Sequence, residues 1–444
     1  MSAGYATKLS YRDDLGGQLG DPEISDAPAE VLQKVNRLSE WVRQSSKIVV
    51  FTGAGISTAC GIPDFRGPSG IWTLQRAHRP IPAFKVSFGV AKPSLCHQAL
   101  VALLHTGKLQ HIVSQNVDGL HLRSGIPRSQ LAELHGNCFA ERCTKCKREY
   151  IRDFEMETVG FKFTGRRCVA EGCNGRLKDH VLDWDDALPE DELEASEKAS
   201  AEADLAICLG TSLQITPACD IPLKTVKTGG KLVIINLQKT PKDKKASLVI
   251  HARCDEVMQQ LMSQMQLPIP SYTRQDSVLV SHTLKKGRVL QDGVQSISYT
   301  LRVQSTHGQK CPLPLVQQVD VDFQDAKTRP AVLRKQPFVV VRSISAAQAT
   351  TVSIKLLLSD VIDEAYRVHI FQHDVPVDLA PSDKLQDQAT SCQHVYTFTT
   401  QVAKYASENG VMAPAQTTAV SAQPSSCSET EPLAKRVKID AERL

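Results

Sequence analysis

Four cysteines carry the clearest chemical signal in this sequence. Cys143 and Cys146 form a C-x2-C pair, Cys168 and Cys173 a C-x4-C pair, and 21 residues separate the two. Two closely spaced thiolate pairs match a tetrahedral Zn2+ held by four sulfurs. Such a site has no open position, so the expected metal is structural and not catalytic. The alternative, reduced surface cysteines that bind nothing, is disfavoured by the spacing. Cys138 is a fifth thiol nearby, left out because Cys143 and Cys146 already make the compact pair.

A second set of candidates follows short apolar runs. The run Lys47–Thr52 leads into Gly53-Ala54-Gly55-Ile56-Ser57-Thr58. Glycines there let the backbone approach a pyrophosphate, whose charge the N-terminus of a following helix would favour. Taken alone the fragment reads equally as a tight turn, because Thr58 stands where the dinucleotide fingerprint wants a third glycine. Gln115-Asn116-Val117-Asp118 follows another run, as do Gly210-Thr211-Ser212 and Asn236-Leu237-Gln238. His135-Gly136-Asn137 stands just before the cysteines. A lone histidine is more often structural than catalytic. Four polar clusters at strand ends are harder to explain as packing, because α/β sheets place ligands at that edge.

The elements that position these residues follow from periodicity. Val31, Leu32, Val35, Leu38, Trp41 and Val42 recur at helical spacing over residues 29–45. Helices are expected over about 94–105 and 255–265. Short apolar strands alternating with helices predict a parallel sheet covered on both faces. The cysteine-rich stretch 138–178 reads as an inserted small module. Residues 185–204 hold nine acids and one lysine and read as a solvated loop or helix edge. After Pro268 the period becomes two. Ile297/Tyr299/Leu301/Val303, Val319/Val321/Phe323, Val352/Ile354/Leu356, Tyr366/Val368/Ile370 and Tyr396/Phe398 predict an all-β sandwich.

The expected organisation is an extended polar lead-in at 1–27, an α/β domain at 28–268 and a β-rich domain at 273–406. A disordered Ser/Ala/Thr/Gln-rich tail follows at 407–444. The 444 residues are 41% apolar and 23% charged, which excludes a wholly disordered or fibrous chain. A net charge of +4 is too balanced for a protein coated in nucleic acid along its length, although a local basic patch stays open. No apolar run approaches the ~20 residues that span a bilayer. The opening MSAGYATKLSYRDDLGG has no apolar core, so no secretory leader is expected.

Taken together, GAGISTACGIPDFRG, QNVDGLH, LHGN, the two cysteine pairs, LGTSLQITP and IINLQ resemble a sirtuin, over about residues 28–266. YATKLSYRDD, DFRGPSGIW and LDWDDALP resemble the chromatin-associated nuclear branch, similar to human sirtuin six. Asp183-Trp184-Asp185-Asp186 stands where many sirtuins carry FGE. The β-rich extension has no counterpart in a minimal sirtuin but resembles plant relatives of this branch. The resemblance implies a Rossmann-like parallel sheet with a small zinc-binding module, and an NAD-dependent protein deacylase with one structural Zn2+. Its substrates would be acylated protein lysines, with histone tails and chromatin as partners.

Residue by residue, the resemblance implies that Ala54, Gly55 and Thr58 line the pyrophosphate loop. Asp64, Phe65, Arg66 and Trp72 would belong to a flexible cofactor loop that covers the nicotinamide and ribose. Gln115, Asn116 and Asp118 would surround nicotinamide. Gly210, Thr211, Ser212, Asn236 and Gln238 would hold the adenosine half, with a backbone contact at Cys254. His135 would be the general base on the ribose hydroxyls. Mono-ADP-ribosyl transfer to a protein side chain is the second reading. A low-turnover NAD-binding chromatin scaffold is the third, and the intact His135, Asn116 and Asp118 weigh against it. Lys435-Arg436-Val437-Lys438 in the tail, together with the branch resemblance, implies residence in the nucleus.

Overall fold

The computed structural model describes residues 3–10, 12, 17–82, 86–289, 295–324, 328–345, 350–359, 361, 363–375 and 390–405. The basic cluster at 435–438 lies outside them. The apolar runs become β1 (Ile48–Thr52), β2 (Leu109–Ser114) and β3 (Leu131–Glu133). Four more strands follow: β4 (Gly136–Cys143), β5 (Glu149–Ile151), β6 (Phe163–Arg167) and β7 (Arg176–Val181). Then come β8 (Leu205–Leu209), β9 (Lys231–Ile235) and β10 (Leu248–Ile250).

Six of these strands make a parallel sheet in the order β10-β9-β8-β1-β2-β3. β8, β9 and β10 step outward on one side of β1, and β2 and β3 on the other. The order reverses between β1 and β8, and such a switch point leaves a crevice at the carboxyl ends of the strands.

The helices are α1 (Ala3–Lys8), α2 (Pro28–Gln44), α3 (Ile71–Arg76), α4 (Leu95–His105), α5 (Leu120–Ser124), α6 (Glu190–Glu202), α7 (Leu223–Lys227) and α8 (Cys254–Met265). Alternate residues of β1 go to opposite faces. Ile48 and Val50 pack with Leu38 of α2, Leu100 of α4 and Leu261 of α8. Val49 and Phe51 pack with Leu193 of α6 and Leu223 of α7. Burial on both faces is why each strand reads as a continuous apolar run.

Two expectations change here. The lead-in is not wholly extended, because α1 opens it. The acidic stretch forms α6 and is not all solvated: Glu192 is buried, accepting from Arg128, from Arg142 Nη2 at 2.8 Å and from the Glu133 N–H at 3.0 Å. Acidic composition hid it, since burial of a carboxylate depends on distant cations that local sequence does not show.

The cysteine module is an antiparallel sheet in the order β5-β4-β7-β6. Glu141, fully buried on β4, accepts from Arg152 at 2.7 Å and Arg166 at 2.9 Å.

Thr273–Val402 form a second compact unit. Its strands are β11 (Tyr272–Val289), β12 (Gln295–Ser305), β13 (Val316–Asp322), β14 (Ala331–Leu333), β15 (Phe338–Ser345), β16 (Thr350–Leu358), β17 (Val368–Val375) and β18 (Thr390–Ala403). They make two four-stranded sheets, β15-β12-β11-β18 and β14-β13-β16-β17, around a core that includes Tyr299, Phe323, Ile354 and Phe398. The expected inward face of β17 is reversed. Val368 and Ile370 are 41% and 61% exposed, while Phe371, His373 and Val375 are buried. Tyr366 lies in a 3-10 turn before the strand. Buried His373 donates or accepts at both ring nitrogens, to His282 at 2.8 Å and the Tyr396 hydroxyl at 3.0 Å, so a polar residue sits in the core. Two apolar residues facing water beside that histidine mislead a reading by hydrophobic alternation.

Candidate active site

β1 ends at Thr52, and the chain then turns through two 3-10 turns, Ala54–Ile56 and Thr58–Cys60. The α-helix expected here does not form. Gly61 ends the second turn at φ 81°, a conformation that favours glycine, and Pro63 disfavours helix at Ile62. The Gly55 N–H donates to the Gly210 carbonyl at 2.9 Å. A β-carbon on Gly53 would lie 2.7 Å from that same oxygen. Only backbone fits between the ends of β1 and β8.

The β2 end closes on this loop. Asn116 Nδ2 donates to the Gly53 carbonyl at 3.1 Å, and Ser57 Oγ donates to Asp118 Oδ2 at 2.7 Å. Asp118 Oδ1 accepts the Leu120 N–H at 2.9 Å, so this buried carboxylate also starts α5. Gln115 Nε2 donates to Thr211 Oγ1 at 3.0 Å. Ser57 was not among the expected site residues. Its neighbour Thr58 was, and the side chain of Thr58 is exposed and bonds back to the Gly55 carbonyl at 3.1 Å.

His135 stands between β3 and β4. Its Nδ1 lies 3.0 Å from the Gln115 carbonyl oxygen. A carbonyl can only accept, so Nδ1 carries the proton and Nε2 holds the lone pair. Burial lowers the imidazole below its ordinary range, the Arg66 charge lowers it further, and the bond to Gln115 partly opposes both. The ring is therefore neutral at neutral pH.

Residues 64–72 form a closed loop over this region. The Asp64 carboxylate accepts the Gly67 N–H at 2.9 Å, and the Trp72 N–H donates to the Phe65 carbonyl at 2.9 Å. The Phe65 and Trp72 rings are 4.5 Å apart, Trp72 and Trp184 4.7 Å, and the Arg66 guanidinium lies 4.8 Å from the Trp72 ring centre. A pocket beneath has apolar walls from Tyr5, Ile62, Phe65 and Phe88 and a polar floor from Ser57, Asn116 and Asp118.

The other expected cofactor residues lie at the ends of β9 and β10. Asn236 Nδ2 donates to the Gln238 carbonyl at 2.9 Å, and Gln238 Nε2 to the Asp21 carbonyl at 2.6 Å. Cys254 is buried at the start of α8. Gly210 joins the two groups, because its own N–H donates to the Ile235 carbonyl at 2.9 Å. Ser212 is partly exposed beside it.

The sequence reading missed how far the N-terminal segment reaches. The Gly20 N–H donates to the Arg66 carbonyl at 2.9 Å and the Ile24 N–H to the Leu237 carbonyl at 2.7 Å. Asp183 accepts from the Ser10 N–H at 3.0 Å, and Asp185 pairs with Arg12 at 3.0 Å. The DWDD departure therefore anchors the lead-in. The signal was only charge complementarity across more than 170 positions.

The Gly53-Ala54-Gly55 loop, with no side chain larger than a methyl, suits the close approach of a dinucleotide pyrophosphate. The cysteines fit zinc equally well. Cys143, Cys146, Cys168 and Cys173 converge, with sulfurs 3.6 Å apart for Cys143/Cys173 and 3.5 Å for Cys146/Cys168. Sulfurs ~2.3 Å from one ion sit ~3.8 Å apart in a tetrahedron. Cys138 lies elsewhere, in an apolar cluster with Phe139 and Val181.

A sequence profile described as Sir2 family matches residues 82–217. The NAD-dependent protein deacetylase SRT1 of Oryza sativa subsp. indica is 52% identical over 363 residues, 81% of this chain and 73% of the relative. The protein of the same name from Arabidopsis thaliana is 50% identical over 365 residues, 82% of this chain and 76% of the relative. Matches of that length reach beyond residues 1–272 into the β sandwich. The NAD-dependent protein deacetylase Sirt6 of Drosophila melanogaster is 46% identical over 280 residues, 62% of this chain and 88% of the relative.

Purified protein should contain one Zn2+ per chain by elemental analysis. Cys143→Ser should release it and lower the thermal midpoint, because metal binding contributes directly to folding. Folded protein free of zinc would overturn the assignment.

Proposed function

The chain belongs to the Sir2 family, and on that premise we propose that it is an NAD-dependent protein-lysine deacylase. The products are free lysine, nicotinamide and O-acyl-ADP-ribose. Acylated protein lysines are its substrates, and histone tails are the substrate class we assign. The observation that carries the reading is the His135 Nδ1–H held on the Gln115 carbonyl at 3.0 Å.

Bound NAD would supply an anomeric ribose carbon that parts from nicotinamide and takes the acyl oxygen of the substrate. Ala54, Gly55 and Thr58 would hold its pyrophosphate, and Gln115, Asn116 and Asp118 its nicotinamide. Gly210, Thr211, Ser212, Asn236, Gln238 and the Cys254 backbone would hold the adenosine half. Asp64, Phe65, Arg66 and Trp72 would cover the reacting ribose and keep water out. His135 then accepts a ribose hydroxyl proton at Nε2. The Gln115 carbonyl keeps that tautomer in place and stabilises the positive charge the ring gains. Zinc, enclosed by four sulfurs, would take no part in the chemistry.

His135→Ala should lower steady-state formation of deacetylated peptide from an acetyl-lysine peptide by roughly 10²–10⁴, with NAD binding kept. Because the imidazole is shifted down, it stays neutral to lower pH than a free histidine. The acid limb of kcat/KM should therefore lie below about pH 6.5, and His135→Ala should abolish that limb. Near-normal turnover in a folded variant would remove His135 from the mechanism.

We also propose nuclear residence, supported by Lys435, Arg436 and Lys438 in a polar segment. Residues 425–444 fused to a fluorescent protein should carry it into the nucleus, and Lys435→Ala/Arg436→Ala/Lys438→Ala should weaken import. An evenly spread reporter would contradict the signal.

A further inference from the structure

We propose that the outer face of the β6–β7 ribbon binds the phosphate backbone of a nucleic-acid duplex. Residues 142–178 hold ten Arg and Lys against five Asp and Glu, in a chain whose net charge is only +4. Three of the ten are consumed internally: Arg142 by Glu149, Asp191 and Glu192, Arg152 by Glu141, and Arg166 by Glu141 and Glu157. The other seven form no ion pair among the described residues. Four thiolates around a divalent ion leave two negative charges, which the knuckle residues Lys145 and Lys147 offset. Of the other five, Arg167, Arg176 and Lys178 lie on the ribbon and Lys162 directly before it, while Arg148 borders β5 at the other edge of the sheet.

The register of that ribbon is unfavourable for the protein alone. Arg167 on β6 is directly opposite Arg176 on β7, and Phe163 is opposite Lys178. Like charges facing each other across two strands destabilise the pair. Arg167 and Arg176 are both exposed, and Arg167 reaches only a carbonyl, that of Asn174 at 3.2 Å. Phe163 is 42% exposed, with the Arg176 guanidinium 3.4 Å and the Lys178 ammonium 5.1 Å from its ring centre. The ring holds those two cations in place before any ligand arrives. A polyanion laid on this face turns the mutual repulsion into attraction.

The chemistry favours phosphate over an acidic protein. Guanidinium forks match phosphate oxygens two at a time. A two-stranded ribbon has the width to follow a duplex groove. A protein partner would need an apolar centre, and this face offers one phenylalanine already covered by cations. Neither β6 nor β7 contains Asn or Gln, so the contact should be to backbone and indifferent to sequence.

The test is fluorescence anisotropy of a labelled 20-base-pair duplex with the full chain at several salt concentrations. Arg167→Gln/Arg176→Gln should lower affinity and reduce the log–log salt slope by about two. Arg167→Lys/Arg176→Lys should keep the slope. Both variants should retain zinc and turnover on a short acetyl peptide. If the glutamine variant loses zinc, Lys178→Gln is read instead and should reduce the slope by about one. An unchanged slope in these variants, no duplex binding by the native chain, or tighter binding to polyglutamate than to duplex would overturn the proposal.

Discussion

The close approach of Gly55 to Gly210 is the constraint on which the rest of the site depends. A β-carbon on Gly55 would lie 2.7 Å from Gly210 Cα, and one on Gly210 would lie 2.7 Å from the Gly55 carbonyl carbon. Backbone therefore packs on backbone where β1 and β8 end, at the point where the strand order reverses. Beside that contact the Gly53 carbonyl accepts both the Ile56 N–H and the Asn116 amide, and Thr211 lies within reach of Gln115. A larger residue at either glycine would separate the two halves of the crevice.

The zinc module acts on the same site through the backbone. His135 precedes β4, and Gly136 pairs with Val181 on β7. The Leu182 N–H donates to the His135 carbonyl at 3.1 Å. Gly136 is at φ 79°, and a β-carbon there would lie 2.0 Å from the His180 carbonyl oxygen. The clamp on His135 is thus made by β4 and β7, paired strands of the sheet that carries the four cysteines. Metal held by those cysteines would fix His135, the proposed base, without meeting the substrate.

Much of this was legible in the sequence because it is local. The cysteine spacing, the apolar runs of the parallel sheet and the polar groups at their ends are all short-range patterns. What escaped depends on distant partners. Ser57 gains its place from Asp118, Glu192 from Arg128 and Arg142, and the lead-in from loops at Arg66, Asp183 and Leu237. The helix expected after Gly55 failed because Gly61 and Pro63 cut it short. In the β sandwich, β17 was assigned to the wrong face. Hydrogen bonds to His282 and Tyr396 let His373 take an inward position that alternation reserves for an apolar residue.

The most direct test of the account is a mass analysis of all products when the pure chain turns over NAD with an acetyl-lysine histone peptide. The account predicts nicotinamide, deacetylated peptide and O-acetyl-ADP-ribose in equal amounts, with the protein itself unmodified. Nicotinamide release accompanied by ADP-ribose attached to a protein side chain, with the acetyl group still on lysine, would contradict it.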